Sequence, residues 1–141
     1  HEELIGLVYN VYYKDIIYIS YLAIDDTKRG AGYGGRILQT IQKKYSDSRI
    51  FLCIEEMDPN AENYEQRVRR KAFYESNGFK MLPFQVKEGI VMYDAMCVAD
   101  REPEITRKEC DELMKHYFGI WTFVIYVKKY TDKIAGVFGG K

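Results

Sequence analysis

The sequence lacks an excess of charge of either sign and lacks a long uninterrupted apolar run. Lysine plus arginine and aspartate plus glutamate each number 21, so the formal net charge is zero. A globally basic surface is therefore excluded, and we expect no nucleic-acid partner. No apolar stretch has the length that crosses a bilayer, so we expect neither a membrane partner nor a signal peptide.

Cysteine is scarce and poorly spaced for a structural framework. The three cysteines, Cys53, Cys97 and Cys110, are odd in number, far apart and without C-x-x-C spacing. Neither a disulfide framework nor a metal site is supported. The simplest interpretation is a cytoplasmic protein with reduced thiols. Cys53 lies inside an apolar run without a histidine partner, which favours core packing over a role as nucleophile.

The composition is that of a globular domain. The chain has 141 residues, of which 47% are hydrophobic and 30% charged, enough for one domain with its own core. The chain contains no repeat, low-complexity tract or linker. We therefore predict a single domain over residues 1–141, with a core at about 3–98 and an extension at 100–141.

Strand and helix patterns alternate along the chain. The predicted strands are 3–13, 16–24 and 49–56, followed by a β segment that starts at Phe79, breaks at Pro83 and continues over 90–98. The run 49–56 is apolar nearly throughout, which predicts a central strand. The first predicted helix ends near Tyr45, and the second covers residues 64–77. Thr106 and Glu109 have capping-box spacing for a late helix, and a final hairpin is predicted over 121–138.

The most informative stretch has four glycines in seven residues. It reads Arg29-Gly30-Ala31-Gly32-Tyr33-Gly34-Gly35 and lies between a β-rich run and a helical pattern. Such a loop exposes backbone N–H groups, and the helix start adds unpaired N–H groups and the positive end of its dipole. The stretch therefore predicts a site for a phosphate or pyrophosphate. A glycine-rich turn without a ligand is the alternative.

Two phosphate-binding motifs compete for this loop. A Walker P-loop is excluded because no Lys-Ser or Lys-Thr follows the glycines. A Rossmann fingerprint is matched literally by Gly30, Gly32 and Gly35, and Glu55 lies about twenty residues on, where a ribose-binding acid belongs. Against it, the polar segment 25–29 separates strand from loop, and that strand is predicted to pair in a hairpin with its predecessor.

Two motifs in the correct order resemble those of the GNAT superfamily of N-acetyltransferases. Arg29-x-x-Gly32-x-Gly34 resembles the R/Q-x-x-G-x-G/A motif. The stretch 72–79, which contains Ala72, Phe73 and Tyr74 and ends in Gly78-Phe79, resembles the second block of the family, one strand and one helix downstream. The resemblance implies an α/β (α+β) fold with a mixed, mostly antiparallel central sheet flanked by helices. The late helix and hairpin would extend it.

The resemblance also implies a reaction and its residues. Acetyl-CoA would donate an acetyl group directly to a primary amine on a small molecule or a peptide. The resemblance also allows a homodimer. The loop from Arg29 to Gly35 would hold the pyrophosphate. The splayed end of the preceding strand would pair with the pantetheine arm through Leu22, Ala23 and Ile24.

The same resemblance names candidates for acid and base. Tyr74 would protonate the departing thiolate. Glu55 and Glu56, at the end of a strand, are candidates for the base, and strand alternation lets only one of them face a given side. A solvated strand end is the alternative for this pair. A catalytically silent module that binds acyl-CoA is the alternative for the whole chain.

The sequence departs from the family pattern in two places. The family begins with a strand and two helices before the hairpin that opens this chain, and we expect the chain to lack them. Arg67 stands where many members carry an asparagine. The basic run 67–71 is interpreted as a solvated helix face, with contact to the adenosine 3′-phosphate as the alternative.

Overall fold

The computed structural model describes residues 4–117 and contains a five-stranded sheet with the order β1-β2-β3-β5-β4. The strands are β1 (Gly6–Tyr13), β2 (Ile16–Ile24), β3 (Arg49–Glu55), β4 (Phe79–Glu88) and β5 (Val91–Val98). The helices are α1 (Tyr33–Lys44), α2 (Tyr64–Ser76) and, at residues 107–117, α3. Only β2 and β3 pair in parallel. The prediction of a mixed, mostly antiparallel sheet with β3 at its centre is confirmed.

Each face of the sheet is covered by different helices. Along β3, Ile50, Leu52 and Ile54 point to the face that α1 and α2 cover, here called the α1/α2 face. Phe51 and Cys53 point to the opposite face, which α3 covers and which we call the α3 face. The alternation follows from the period of two in a strand. Because both faces of β3 are buried, its side chains are apolar on both faces.

The predicted C-terminal end of α2 and the predicted start of α3 are confirmed. α2 ends at Ser76, and Gly78 follows with φ of 89°, the left-handed conformation that glycine adopts without strain. At the start of α3, the Thr106 backbone N–H donates to the Glu109 carboxylate at 3.0 Å and the Glu109 N–H donates to the Thr106 hydroxyl at 3.2 Å. These reciprocal bonds form the predicted capping box.

Two arginines that the sequence patterns did not single out connect distant elements. Arg49, only 7% exposed, donates to both carboxylate oxygens of Asp15 at 2.7 and 2.9 Å and to Glu109 at 2.8 and 3.1 Å. It thereby ties α3 to the β1–β2 turn. Arg101 donates to four carbonyl groups at the C-terminal end of α1 and just beyond it, those of Gln42, Tyr45, Ser46 and Ser48. These bonds satisfy acceptors that a helix end leaves unpaired.

The predicted break at Pro83 is corrected by the structure. β4 continues through this residue, and the β4–β5 register shifts between Met81 and Gln85. A bulge tolerates proline because it removes the need for a ladder N–H. The predicted hairpin over 121–138 lies outside the described residues. Within residues 4–117, no helix is both long and apolar enough to cross a membrane.

Candidate active site

A wedge-shaped gap opens between β2 and β3. Their parallel ladder begins at Ile16 and Arg49 and ends at Ile19 and Leu52. Beyond that point β2 stays paired with β1 and β3 stays paired with β5. The predicted pantetheine residues Leu22, Ala23 and Ile24 lie on this diverging part of β2. Their backbone forms no ladder with β3, so it is an open edge onto which an extended ligand can pair.

A β-bulge accompanies the separation of the two strands. Tyr9 pairs with Tyr21 and Asn10 pairs with Ile19, which leaves Ser20 as an extra residue in β2. A bulge bends its strand and increases the local twist. Because Ser20 directly follows the last residue paired with β3, the bend turns β2 away from β3 at that position. One polar residue in an apolar run was the only sequence signal of this feature.

The glycine loop lies at the open end of the gap. Gly30 and Gly32 have φ of 82° and 78°, and a Cβ placed at either would meet nothing within 4 Å. Gly32 is the N-cap of α1 and provides no side-chain acceptor for the first turn. The loop therefore leaves N–H groups of the helix start directed at open space, beside the end of β2. This is the arrangement that binds a phosphate group.

Two further glycines of the loop lie where α1 contacts α2. A Cβ at Gly34 would lie 3.0 Å from the ring of Phe73, and one at Gly35 would lie 3.0 Å from Oδ1 of Asn77. Their absent side chains allow the two helices to approach, which is a packing role in addition to the predicted cofactor role. The two sequence motifs thus meet in space.

Arg29 and the segment before it form a local polar network. Arg29 pairs with Asp26 at 2.8 Å, and both side chains are largely exposed. Asp25 accepts from the Thr27 N–H at 2.8 Å, and hydrogen bonds from Thr27 lower the pKa of the Asp25 carboxyl. Arg29 is thus held near the loop by a carboxylate that a phosphate would have to displace or share.

Tyr74 lies on the α1/α2 face with its ring half-buried. It contacts Phe73 and Phe79 edge-on, with ring centroids 5.2 and 5.8 Å away. Burial raises the pKa of Tyr74, and the positive charge of Arg70 partly opposes this. Among residues 4–117 its hydroxyl has no hydrogen-bond partner, so the group is protonated at neutral pH and available to a ligand.

The two glutamates predicted as bases differ in their surroundings. Glu55 accepts from Asn63 and Arg70, each at 3.1 Å, and forms an ion pair with Arg67 at 3.1 Å, whose Nε donates to Asn63 at 2.7 Å. Glu56 is exposed and accepts from Gln85 at 3.0 Å. Both line a groove of about 520 Å³ together with Arg67 and residues 90–93. Glu55 is the less available of the two carboxylates, because two guanidinium groups and an amide already contact its oxygens.

The basic run of α2 is therefore more than a solvated face. Arg67 and Arg70 both pair with Glu55, and Arg67 also donates to the Glu56 carbonyl at 2.8 Å. Lys71 pairs with Glu75 within the helix at 3.5 Å. These contacts correct the interpretation of the run as wholly solvated: two of its members hold the β3–α2 connection.

Sequence reasoning missed a group of titratable side chains on the α3 face. The Tyr18 hydroxyl donates to Glu88 Oε2 at 3.4 Å, and the Tyr18 ring stacks on Phe51 with centroids 4.8 Å apart. Burial raises the pKa of Glu88, which the hydrogen bond from Tyr18 partly opposes, and burial also raises the pKa of the Cys53 thiol. The signal was present: Glu88 continues the alternation of Leu82, Phe84 and Val86 on a buried face.

Residues 1–81 match the family model described as an acetyltransferase (GNAT) domain. This match covers more than half of the chain. The chain belongs to the GNAT acetyltransferase family. The hairpin of β1 and β2 and the mostly antiparallel sheet exclude the Rossmann alternative.

Solved structures share the fold at low sequence identity. A Bacteroides thetaiotaomicron protein described as a GNAT-family acetyltransferase matches with a TM-score of 0.59 and 23% identity, over 82% of this chain and 64% of that one. An aminoglycoside 6′-N-acetyltransferase complexed with coenzyme A matches with 0.52 and 17%, over 72% and 70%. A Bacillus subtilis acetyltransferase in complex with CoA matches with 0.50 and 12%, over 69% and 70%.

The GNAT chain spans 64% of the length of the Bacteroides protein. At these identities the likeness concerns the fold alone. No curated protein matches the sequence.

Proposed function

We propose that this protein transfers an acetyl group from acetyl-CoA to a primary amine. The gap between β2 and β3, with the glycine loop at its open end, is the observation that carries the proposal. Membership of the GNAT acetyltransferase family supports it, as do two matching structures that were solved in complex with coenzyme A. The acceptor is a small molecule or a peptide with a free amine.

The chain offers two kinds of backbone contact to the cofactor. N–H groups at the start of α1 bind the pyrophosphate, and the helix dipole favours its negative charge. The open edge of β2 at residues 22–24 pairs with the amides of the pantetheine arm in the manner of an added strand. Side chains are absent from Gly30 and Gly32, so the pyrophosphate can approach the loop.

Tyr74 is the acid that protonates the departing thiolate. Its hydroxyl is half-buried, without a partner among the described residues, and its pKa is raised by burial. A phenol that stays protonated at neutral pH can give its proton to a basic thiolate. Of the two bases predicted from the sequence, Glu56 is the better placed chemically because no cation pairs with it in the described part of the chain.

Calorimetric titration with acetyl-CoA and a thiol-release assay test the proposal together. The assay uses spermidine, kanamycin, alanine and a peptide with a free N-terminal alanine as acceptors. We expect acetyl-CoA to bind and at least one amine to stimulate release of free thiol. Binding without release for every amine would favour the silent acyl-CoA-binding module. Absence of binding would contradict the proposed function.

A further inference from the structure

Glu88 lies at the narrow end of the gap between β2 and β3, on the face opposite Tyr74. It ends β4 on the α3 face, where its carboxylate accepts from Tyr18 at 3.4 Å. Tyr18 precedes the last residue of the β2–β3 ladder, and Cys53 is the first residue of β3 beyond it. A carboxylate thus lies on the α3 face beside the position where the strands part, and the Tyr74 phenol lies on the other face of the sheet.

We infer that Glu88 is the catalytic base that takes the proton from the acceptor amine. This inference rests on the proposed function and assigns the base, for which Glu55 is held by two arginines and Glu56 is the competing candidate. A base on the α3 face and an acid on the α1/α2 face would act from opposite sides of the reacting carbonyl. The amine would then lose its proton on the α3 side of the gap, and the thiolate would be protonated from the α1/α2 side.

The groups around Glu88 are uncharged at neutral pH. They come from every element packed against it: Tyr18 on β2, Cys53 on β3, Tyr93 on β5 and Tyr117 on α3. Within the described residues no lysine or arginine pairs with Glu88, in contrast to the two arginines that hold Glu55. A carboxylate in such surroundings binds a proton more readily than one held by cations.

The groove described above extends to a neighbour of Glu88. Tyr93 lines that groove and also interacts electrostatically with Glu88. The exposed turn residue Ile90 and the first two residues of β5, Val91 and Met92, form another part of its wall. We expect an amine bound in this groove to lie next to Tyr93 and thus near Glu88.

The proton and electron balance of the step is complete with these residues. Glu88 takes one proton from the ammonium form of the acceptor, and the neutral nitrogen forms a bond to the thioester carbon. The C–S bond then breaks, and the thiolate takes a proton from Tyr74. The second proton on nitrogen returns to Tyr74 through water, and the proton on Glu88 passes to solvent. The products are an amide, a free thiol and one proton.

Glu88→Gln tests the assignment, and Glu56→Gln tests the competing candidate for the base; a large loss in Glu56→Gln with wild-type turnover in Glu88→Gln would overturn the assignment. We expect Glu88→Gln to fold, since it removes a half-buried charge and keeps the side-chain size. Acetyl-CoA affinity should stay within about twofold, while kcat/KM for the best amine of the panel falls by roughly 10²–10⁴ at neutral pH. The loss should shrink as pH rises toward the pKa of that amine, because more acceptor is then already neutral.

Tyr18→Phe provides a second test, because it should shift the pH dependence of kcat/KM where Glu88→Gln should remove it. It keeps the buried ring and removes the hydrogen bond that lowers the pKa of Glu88. The acidic limb of the kcat/KM profile should therefore move to higher pH, whereas it should be absent in Glu88→Gln apart from ionisation of the amine itself.

Three results would overturn the assignment of Glu88 as the base. A loss in Glu88→Gln that is the same at every pH indicates a structural role and overturns the assignment. Wild-type turnover retained in Glu88→Gln overturns it as well, and leaves the proposed function intact. A wild-type protein that binds acetyl-CoA but releases no thiol with any amine overturns both.

Discussion

Tyr74 has a hydroxyl group that no other described residue binds, in a ring that is otherwise well packed. The hydroxyl is not among the fully buried unpaired atoms of the described residues, so a ligand can reach it. The family resemblance predicts that the cofactor sulfur lies beside it.

Tyr74→Phe separates catalysis from packing. If Tyr74 is the general acid, turnover should fall by roughly 10²–10⁴ while acetyl-CoA affinity stays nearly unchanged. Stability should change by less than about 1 kcal/mol, because no intramolecular hydrogen bond is lost. Steady-state kinetics, calorimetric titration and thermal melts measure the three quantities. A Phe variant with wild-type kcat would remove Tyr74 from the mechanism.

The glycine loop combines two functions within one element. Gly30 and Gly32 leave the ligand side open, whereas Gly34 and Gly35 let α1 approach α2. Pattern matching treats the glycines alike, but their neighbours distinguish them. Only the positions whose Cβ would meet empty space can report on cofactor binding without disturbing helix packing.

Ala31→Glu and Gly34→Val should therefore behave differently. Ala31 is exposed between the two open glycines, so a glutamate there should leave the melting temperature unchanged and repel the pyrophosphate. We expect acetyl-CoA affinity to fall at least about tenfold, with Ala31→Gln as the uncharged control. Unchanged affinity in a folded Ala31→Glu would show that the loop is only a turn.

Gly34→Val should instead lower stability, because its side chain would meet the Phe73 ring. Valine at this position therefore does more than block the cofactor. Combining it with Phe73→Leu should recover part of the lost melting temperature. Full stability of the single variant would contradict the packing role.

The attachment of α3 depends on Arg49. Hydrogen bonds from this guanidinium lower the pKa of both Asp15 and Glu109. The stabilisation is therefore present above the ordinary pKa values of these groups, 3.8 and 4.5, and is lost as pH falls through the lowered values. The attachment of α3 thus contributes to the acid sensitivity of the fold.

Arg49→Met should lower the free energy of unfolding by about 2 kcal/mol at pH 7, because two carboxylates lose their charged partner while Asp15 stays half-exposed. The difference from wild type should narrow as pH falls below about 4. Arg49→Lys should not rescue it, since an ammonium cannot form the paired bonds of a guanidinium. Denaturant melts across pH measure this, and a pH-independent difference would contradict it.

At the scale of the whole molecule, the most direct test of the proposed cofactor compares stabilisation by acetyl-CoA with stabilisation by NAD. Acetyl-CoA at about a hundred times its dissociation constant should stabilise the fold by about 2.7 kcal/mol, because only the folded chain presents the loop and the open strand edge together. NAD at the same concentration should leave the melting temperature unchanged. A shift with NAD alone would contradict the use of coenzyme A.

The local sequence pattern was sufficient to predict the order of strands and helices along the chain. The apolar run of β3, the capping box of α3 and the glycine after α2 each act within a few residues, so a short window of sequence specifies them. The two motifs also identified the family, because their spacing along the chain is itself a sequence property.

Only the tertiary structure determined how the elements create a site. The bulge at Ser20 and the end of the β2–β3 ladder depend on register between strands, which no single segment encodes. The ion pairs that hold Glu55 and the position of Glu88 beside Tyr18 join residues far apart in the chain. Local sequence thus specified the strands, the helices and the loop, whereas contacts between distant segments decided which carboxylate is free to accept a proton.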